Sequence, residues 1–220
     1  MKKIGVVLSG CGVFDGSEIH EAVLTLLHFD EAGAEVQCFA PDKEQMHVVN
    51  HLTGQPAAGE SRNVLAESAR IARGRIKPLN ELKVGDFDAV VFPGGFGAAK
   101  NLCTFAVDGT GCKIDSQVAA VIKAAHAAGK VIGALCISPV VIAGALKDAK
   151  IVPELTIGTD PGTSKALMEL GATPIKAQTT DVVVDRKNKI VTTPCYMLAT
   201  KISQVSRGIE NFVKEVMKLA

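Results

Sequence analysis

Short runs of β-branched and aliphatic residues alternate along this chain with stretches whose apolar residues recur every three or four positions. Lys3–Leu8 is the first such run and predicts a buried strand. Residues 17–32 carry Ile19, Val23, Leu26 and Leu27 at helical spacing, with Ser17 as the expected N-cap and Gly33 as the stop. Glu35–Ala40 predicts a second strand ending at Pro41, and 42–52 and 61–73 predict helices. Asp88–Phe92 predicts a strand that runs into Pro93-Gly94-Gly95. A helix over 115–128 stops at Gly129, a strand follows at Val131–Leu135, and an apolar helix at 138–147. A short strand at Leu155–Ile157 and a helix over 163–170 come next. Residues 181–184 and 190–193 flank a polar turn over 185–189 and predict a hairpin. The last helix, about 197–218, reads as an amphipathic cover. Strands alternating with helices imply βαβ units: an α/β protein with a doubly wound, mostly parallel sheet, helices on both faces, and one hairpin near the C-terminus.

The length, 220 residues, and the lack of linkers or low-complexity segments predict a single domain over 1–220. With no Trp and one Tyr, the core must be aliphatic. Lys and Arg total 24 against 23 Asp and Glu, a balance that argues against a nucleic-acid partner. No apolar run nears the roughly 20 residues of a membrane span. The first apolar run is too short for a signal-peptide core, so a cytoplasmic protein with reduced thiols is expected.

Ligands of such sheets bind beyond the carboxyl ends of the strands, and three strand exits carry unusual chemistry. At Val131-Ile132-Gly133-Ala134-Leu135-Cys136-Ile137-Ser138-Pro139 a buried strand ends on a cysteine and a helix begins at once. That is the pattern of a nucleophile elbow. A helix dipole there is expected to lower the Cys136 pKa. At Phe92-Pro93-Gly94-Gly95-Phe96-Gly97 the glycines allow backbone N–H groups to approach a ligand. Gly94 and Gly95 with the Ile137 N–H form a candidate oxyanion hole. At Ser9-Gly10-Cys11-Gly12-Val13-Phe14-Asp15-Gly16-Ser17-Glu18-Ile19-His20-Glu21 two carboxylates open a helix. Glu18 and Glu21 are candidates for proton transfer, although acids in a first turn also simply complement the dipole.

The remaining candidates are weaker. His47 and His51 are four apart on an expected helix, but Val48 stands where a metalloprotease would place Glu, and no metal site is assigned. Gly94-Gly95-Phe96-Gly97 is not a dinucleotide fingerprint, so no cofactor is expected. Cys11 could share a sheet edge with Cys136 as a resolving thiol, and His20 could line the cleft. Cys103 and Cys112 bracket a stretch with Gly109-Thr110-Gly111; a disulfide between them is open, but a reducing compartment does not support it.

Together these segments resemble the class I glutamine-amidotransferase-like fold, a flavodoxin-like architecture. Within it they resemble the PfpI-like superfamily and its ElbB-type glyoxalase subfamily. The likeness is carried by residues 2–23, by Phe39-Ala40-Pro41-Asp42-Lys43, by 93–102, by Leu155-Thr156-Ile157-Gly158-Thr159-Asp160 and by Lys189-Ile190-Val191-Thr192-Thr193-Pro194. The resemblance implies a reactive Cys136 with a first-helix carboxylate against its sulfur, matched best by Glu21 with Glu18 as neighbour. On resemblance alone, Asn101, Thr159 and Asp160 supply polar groups to the cleft, and the protein is a homodimer. Many relatives carry histidine directly after the cysteine; here that residue is Ile137. Glutamine hydrolysis by a Cys-His-Glu triad and peptidase activity are therefore not implied.

What the resemblance does imply is a glutathione-independent glyoxalase, a cofactor-free lyase acting on a small dicarbonyl such as glyoxal or methylglyoxal. Apparent deglycation of proteins could be a side activity of the same chemistry. Two other readings use the same thiol: a non-enzymatic redox or stress sensor with an oxidisable elbow cysteine, and an amidase or hydrolase of unknown substrate.

Overall fold

The computed structural model describes residues 1–220. Seven strands make the central sheet: β1 (Lys3–Val7), β2 (Glu35–Ala40), β5 (Ile76–Pro78), β6 (Ala89–Phe92), β7 (Val131–Leu135), β10 (Val183–Asp185) and β11 (Ile190–Thr193). Their order across the sheet is β10-β11-β7-β6-β1-β2-β5. Only the β10–β11 hairpin is antiparallel. Two small pairs lie outside the sheet: β3 (Val49–Asn50) with β4 (Gln55–Pro56), and β8 (Glu154–Leu155) with β9 (Thr173–Pro174). The helices are α1 (Ile19–Glu31), α2 (Val64–Ile71), α3 (Phe96–Lys100), α4 (Phe105–Asp108), α5 (Ser116–Ala127), α6 (Pro139–Lys147), α7 (Pro161–Glu169) and α8 (Ile202–Leu219).

Alternation along each buried strand divides the core in two. Val90, Phe92, Ile132, Ala134 and Ile190 face the layer holding α5, α6 and α7. Ala89, Val91, Val131, Leu135 and Val191 face the layer holding α1, α2 and α8. The last helix buries Val205, Ile209, Phe212, Val213 and Val216 at three- and four-residue steps, as its pattern predicts. A Cβ on Gly133 would collide with the Phe212 ring, so glycine in β7 is what lets that ring settle on the sheet.

Several expectations are corrected. Residues 42–52 do not form a helix. Their backbone donors are taken by distant acceptors instead: Met46 N–H donates to Asn101 Oδ1 (3.0 Å), Val49 N–H to Asp15 Oδ2 (2.7 Å) and Gln45 N–H to Arg62 O (2.8 Å). His47 and His51 therefore share no helix face. Ser17 does not cap α1; its Oγ accepts from Ser9 N–H (2.9 Å), and the Glu18 side chain caps by accepting from Glu21 N–H (2.7 Å). The buried face of α1 is Glu21, Ala22, Thr25 and Phe29, while Ile19, Val23 and Leu27 stay exposed. Of the four apolar residues at helical spacing, Leu26 packs partly against the core and the other three mark the outer face of α1.

Beyond the carboxyl ends of the strands, β1 has β2 on one side and β6 on the other. The chain reverses direction across the sheet at that boundary, which is where open α/β sheets hold their ligands.

Candidate active site

Four strand exits converge there. The exits of β1 and β6 are laced together: Glu18 N–H donates to Gly94 O (2.9 Å), Phe96 N–H to Val13 O (2.8 Å) and Gly97 N–H to Gly16 O (2.8 Å). The approach is so close that a Cβ on Gly95 or Gly97 would strike the backbone of 16–18, and Gly95 sits at φ +101°. The glycines here are steric requirements.

Cys136 follows β7 at φ +58°, a left-handed conformation that costs a non-glycine residue about 1–3 kcal/mol. Its surroundings hold it there. Cys136 N–H donates to Thr193 O (3.0 Å) on the adjacent strand, Ser138 N–H to Leu135 O (3.0 Å), and Ser138 Oγ to Pro93 O (2.7 Å). The strained turn projects the thiol toward α1.

Glu21 meets it. The Glu21 carboxyl group lies against the Cys136 side chain, so close that a Cβ on Gly94 would strike both Glu21 Oε2 and Cys136 Cβ. Gly94 N–H donates to its Oε2 (3.1 Å) and Tyr196 N–H to its Oε1 (3.2 Å). Glu21 has no exposed surface, and burial, followed by the charge of Glu18, raises its pKa to about 8. The Cys136 thiol is also pushed well above its ordinary value, by burial and then by Glu21. The nearby N–H groups of Gly95 and Ile137 pull the other way, but they are outweighed. The expectation of a thiol lowered by the helix end is therefore corrected: in a closed site beside a carboxylate, desolvation and like charge exceed the dipole.

The other predicted residues divide. Glu18 caps α1 and lies 3.9 Å from His20 Nδ1, which reaches Tyr196 Oη at 2.8 Å, so these three border the pair from the solvent side. The Gly94 N–H is spent on Glu21, which leaves Gly95 and Ile137 as the donors aimed at the sulfur. Asn101 is a buried clamp: its Nδ2 donates to Ser9 O and Asp15 O (both 2.8 Å) and its Oδ1 accepts from Met46 N–H. Asp160 is exposed and caps α7, accepting from Thr163 N–H (2.7 Å), with Thr159 exposed beside it. Cys11 pairs in a bridge with Ser17, and its thiol is raised by burial and then by Glu67.

Two contributors escaped the sequence reading. Cys195, at φ +46°, has its thiol raised by full burial and then by Glu21 and Cys136, and Tyr196 supplies an N–H to Glu21. Both lie just past β11; the hairpin prediction located the end of that strand, but its place beside β7 comes from the tertiary pairing. The largest cleft, about 800 Å³, opens instead beside Met1, Leu26, Val36 and Cys38 at the amino ends of β1 and β2. Its one thiol, Cys38, is pushed up to about 11 by burial. Size alone does not select that cleft. The Cys136 site pairs a thiol with a carboxyl group and leaves only 8% of the cysteine exposed, which suits a reactant of a few atoms better than a peptide.

A model of the DJ-1/PfpI family matches residues 11–199. The human glutamine amidotransferase-like class 1 domain-containing protein 3, mitochondrial, is 50% identical over 99% of this chain and 83% of its own length. A crystal structure from Ehrlichia chaffeensis, described as an isoprenoid biosynthesis protein with amidotransferase-like domain, superposes with a TM-score of 0.92 at 36% identity. It covers 99% of this chain and 100% of the other. Glyoxalase III from Candida albicans shares the fold, with a TM-score of 0.63 at 16% identity over 99% of this chain and 97% of its own.

Proposed function

The chain belongs to the DJ-1/PfpI family, and on that premise we propose that it is a glutathione-independent glyoxalase of the ElbB type that converts glyoxal, and methylglyoxal, to the 2-hydroxy acid. The observation that carries this reading is the Glu21 carboxyl group set against Cys136 in a nearly closed site.

The chemistry follows from that contact. The Cys136 sulfur attacks one aldehyde carbon while its proton passes to Glu21, and the new C–S bond gives a hemithioacetal once the alkoxide is protonated. The N–H groups of Gly95 and Ile137, already directed at the sulfur, lie beside the carbon where the alkoxide develops. The Glu21 carboxylate then removes the hydrogen from the carbon bearing sulfur and oxygen. The resulting enediol is reprotonated at the neighbouring carbon, which leaves a thioester of glycolate. Water cleaves the thioester and releases glycolate and the free thiol. Substrate plus one water equals product, so no outside oxidant or reductant is needed.

A glutamine amidotransferase reaction is not favoured, because Ile137 stands where a histidine base would follow the cysteine. A peroxide sensor at Cys136 is not favoured either, since a thiol raised above its ordinary pKa reacts slowly with peroxide. The proposed protein is a single-domain homodimer of a reducing, cytosol-like compartment. The exposed Ile19, Val23 and Leu27 stripe of α1 supports the second copy. No helix is long and apolar enough to cross a membrane.

Proton NMR of glyoxal incubated without glutathione tests the reading. Glycolate with wild type and none with Cys136→Ala is expected. Glyoxal unchanged by wild-type protein overturns it.

A further inference from the structure

A second pair of thiols lies away from the elbow, on the loop that follows α3. Cys103, buried, and Cys112, half-exposed, sit on the two facing arms of one loop, Cys103 opposite Ile114 and Cys112 beside Lys113. The loop between them is already closed at its base. Thr104 N–H donates to Lys113 O (3.0 Å), Lys113 N–H to Thr104 Oγ1 (3.0 Å) and Asp115 N–H to Leu102 O (3.0 Å), and Cys103 bridges Ile114. That pairing holds the two cysteines on adjacent arms of one closed loop.

The two thiols differ in setting. Cys112 lines a cleft of about 440 Å³ together with Lys113, Lys123 and Lys147. Its pKa is lowered to about 7, chiefly by the neighbouring Cys103 side chain and with help from Lys147, against burial and Asp108. Cys103 keeps its proton: its contact with Cys112 and then its burial raise it, although Lys43 opposes, and its Sγ also reaches Ala98 O at 3.4 Å. Cys112 opens on the lysine-lined cleft, whereas Cys103 is buried with its thiol donating to Ala98 O. That is the division between an attacking and a resolving cysteine.

We propose that Cys112 and Cys103 form a peroxide-driven dithiol–disulfide switch, with Cys112 as the oxidised thiol and Cys103 as the resolving one. The Cys112 thiolate attacks a hydroperoxide oxygen: an S–O bond forms, the O–O bond breaks, and the leaving oxygen takes a proton to become water or an alcohol. Sulfur is oxidised to the sulfenic acid and the peroxide is reduced. The Cys103 sulfur then attacks Cys112, the S–S bond forms, and hydroxide leaves with the Cys103 proton as water. A cellular dithiol reverses the change by exchange.

Both cysteines fall in one tryptic peptide, residues 101–113, because no Lys or Arg lies between Lys100 and Lys113. Reduced wild-type protein is treated with stoichiometric hydrogen peroxide, alkylated, digested and weighed, beside Cys136→Ser. In both proteins the peptide is expected to lose both alkylations and to be about 2 Da lighter than its free dithiol form, and dithiothreitol restores it. In the untreated protein at pH 7, Cys112 is expected to alkylate roughly tenfold faster than Cys103 or more. In Cys103→Ser, Cys112 is expected to give a dimedone-trapped sulfenic acid instead of the disulfide. The proposal is overturned if both thiols still alkylate after peroxide, or if Cys112 is lost to over-oxidation or to an intermolecular disulfide while Cys103 still alkylates.

Discussion

The carboxyl group of Glu21 lies against Cys136, both within reach of a single Cβ added to Gly94, where burial raises both pKa values. The two groups come from elements far apart in sequence, the first turn of α1 and the exit of β7.

Glu21 can accept the thiol proton only after losing its own. With its pKa raised to about 8, kcat/KM for glyoxal is expected to rise with pH and level off above about 8. Rates at saturating and limiting glyoxal between about pH 6 and 9.5 check this. Glu21→Gln should lower kcat by about 10²–10⁴-fold without unfolding the protein.

The same shift makes stability depend on pH. The unfolded Glu21 releases its proton near the ordinary carboxylate value of 4.5, and the folded one only near 8. Between those values the folded state binds the extra proton, so this group's contribution to stability falls as pH rises and is flat above the window. Urea melts of wild type and Glu21→Gln at several pH values should diverge through that interval, with the wild type losing ground toward pH 8.

Glu18 separates capping from charge. Glu18→Gln keeps an oxygen that can accept from Glu21 N–H but removes the negative charge that raises Glu21. The midpoint of the rate profile should move to lower pH, while the melting temperature changes little. Glu18→Ala should also lose the cap, at about 0.5–2 kcal/mol.

Gly94 leaves no room for a side chain, because a Cβ there would collide with Cys136 Cβ and Glu21 Oε2. Gly94→Ala is expected to cost about 1–3 kcal/mol through overpacking. Its activity loss should approach that of Glu21→Gln, read by the same glycolate assay.

Asn101 distinguishes a clamp from a substrate ligand. Asn101→Ala strands the Met46 N–H and the Ser9 and Asp15 carbonyls. Unpaired buried groups cost about 1–3 kcal/mol each, so the urea midpoint should fall markedly. KM for glyoxal should stay near the wild-type value, and a large rise in KM at unchanged stability would return Asn101 to the cleft.

Much of this protein was legible in its sequence because the relevant physics is local. Alternation and uninterrupted aliphatic runs mark β1, β6 and β7 as buried on both faces. Gly33 and Gly129, at φ +72° and +63°, end helices where only a residue without a Cβ turns freely. The step from Leu135 through Cys136 to Pro139 is a strand-to-helix turn in any fold that keeps that strand buried. What stayed illegible depends on groups distant in sequence. Residues 42–52 lost their helix to acceptors on Asp15, Arg62 and Asn101. The outward face of α1 could not be read from spacing, because the inward face is set by a buried glutamate. The direction of the Cys136 pKa shift was misread for the same reason. A helix end is visible in sequence, but the desolvation and the neighbouring Glu21 that outweigh it exist only once β1, β6, β7 and β11 bring their exits to one point.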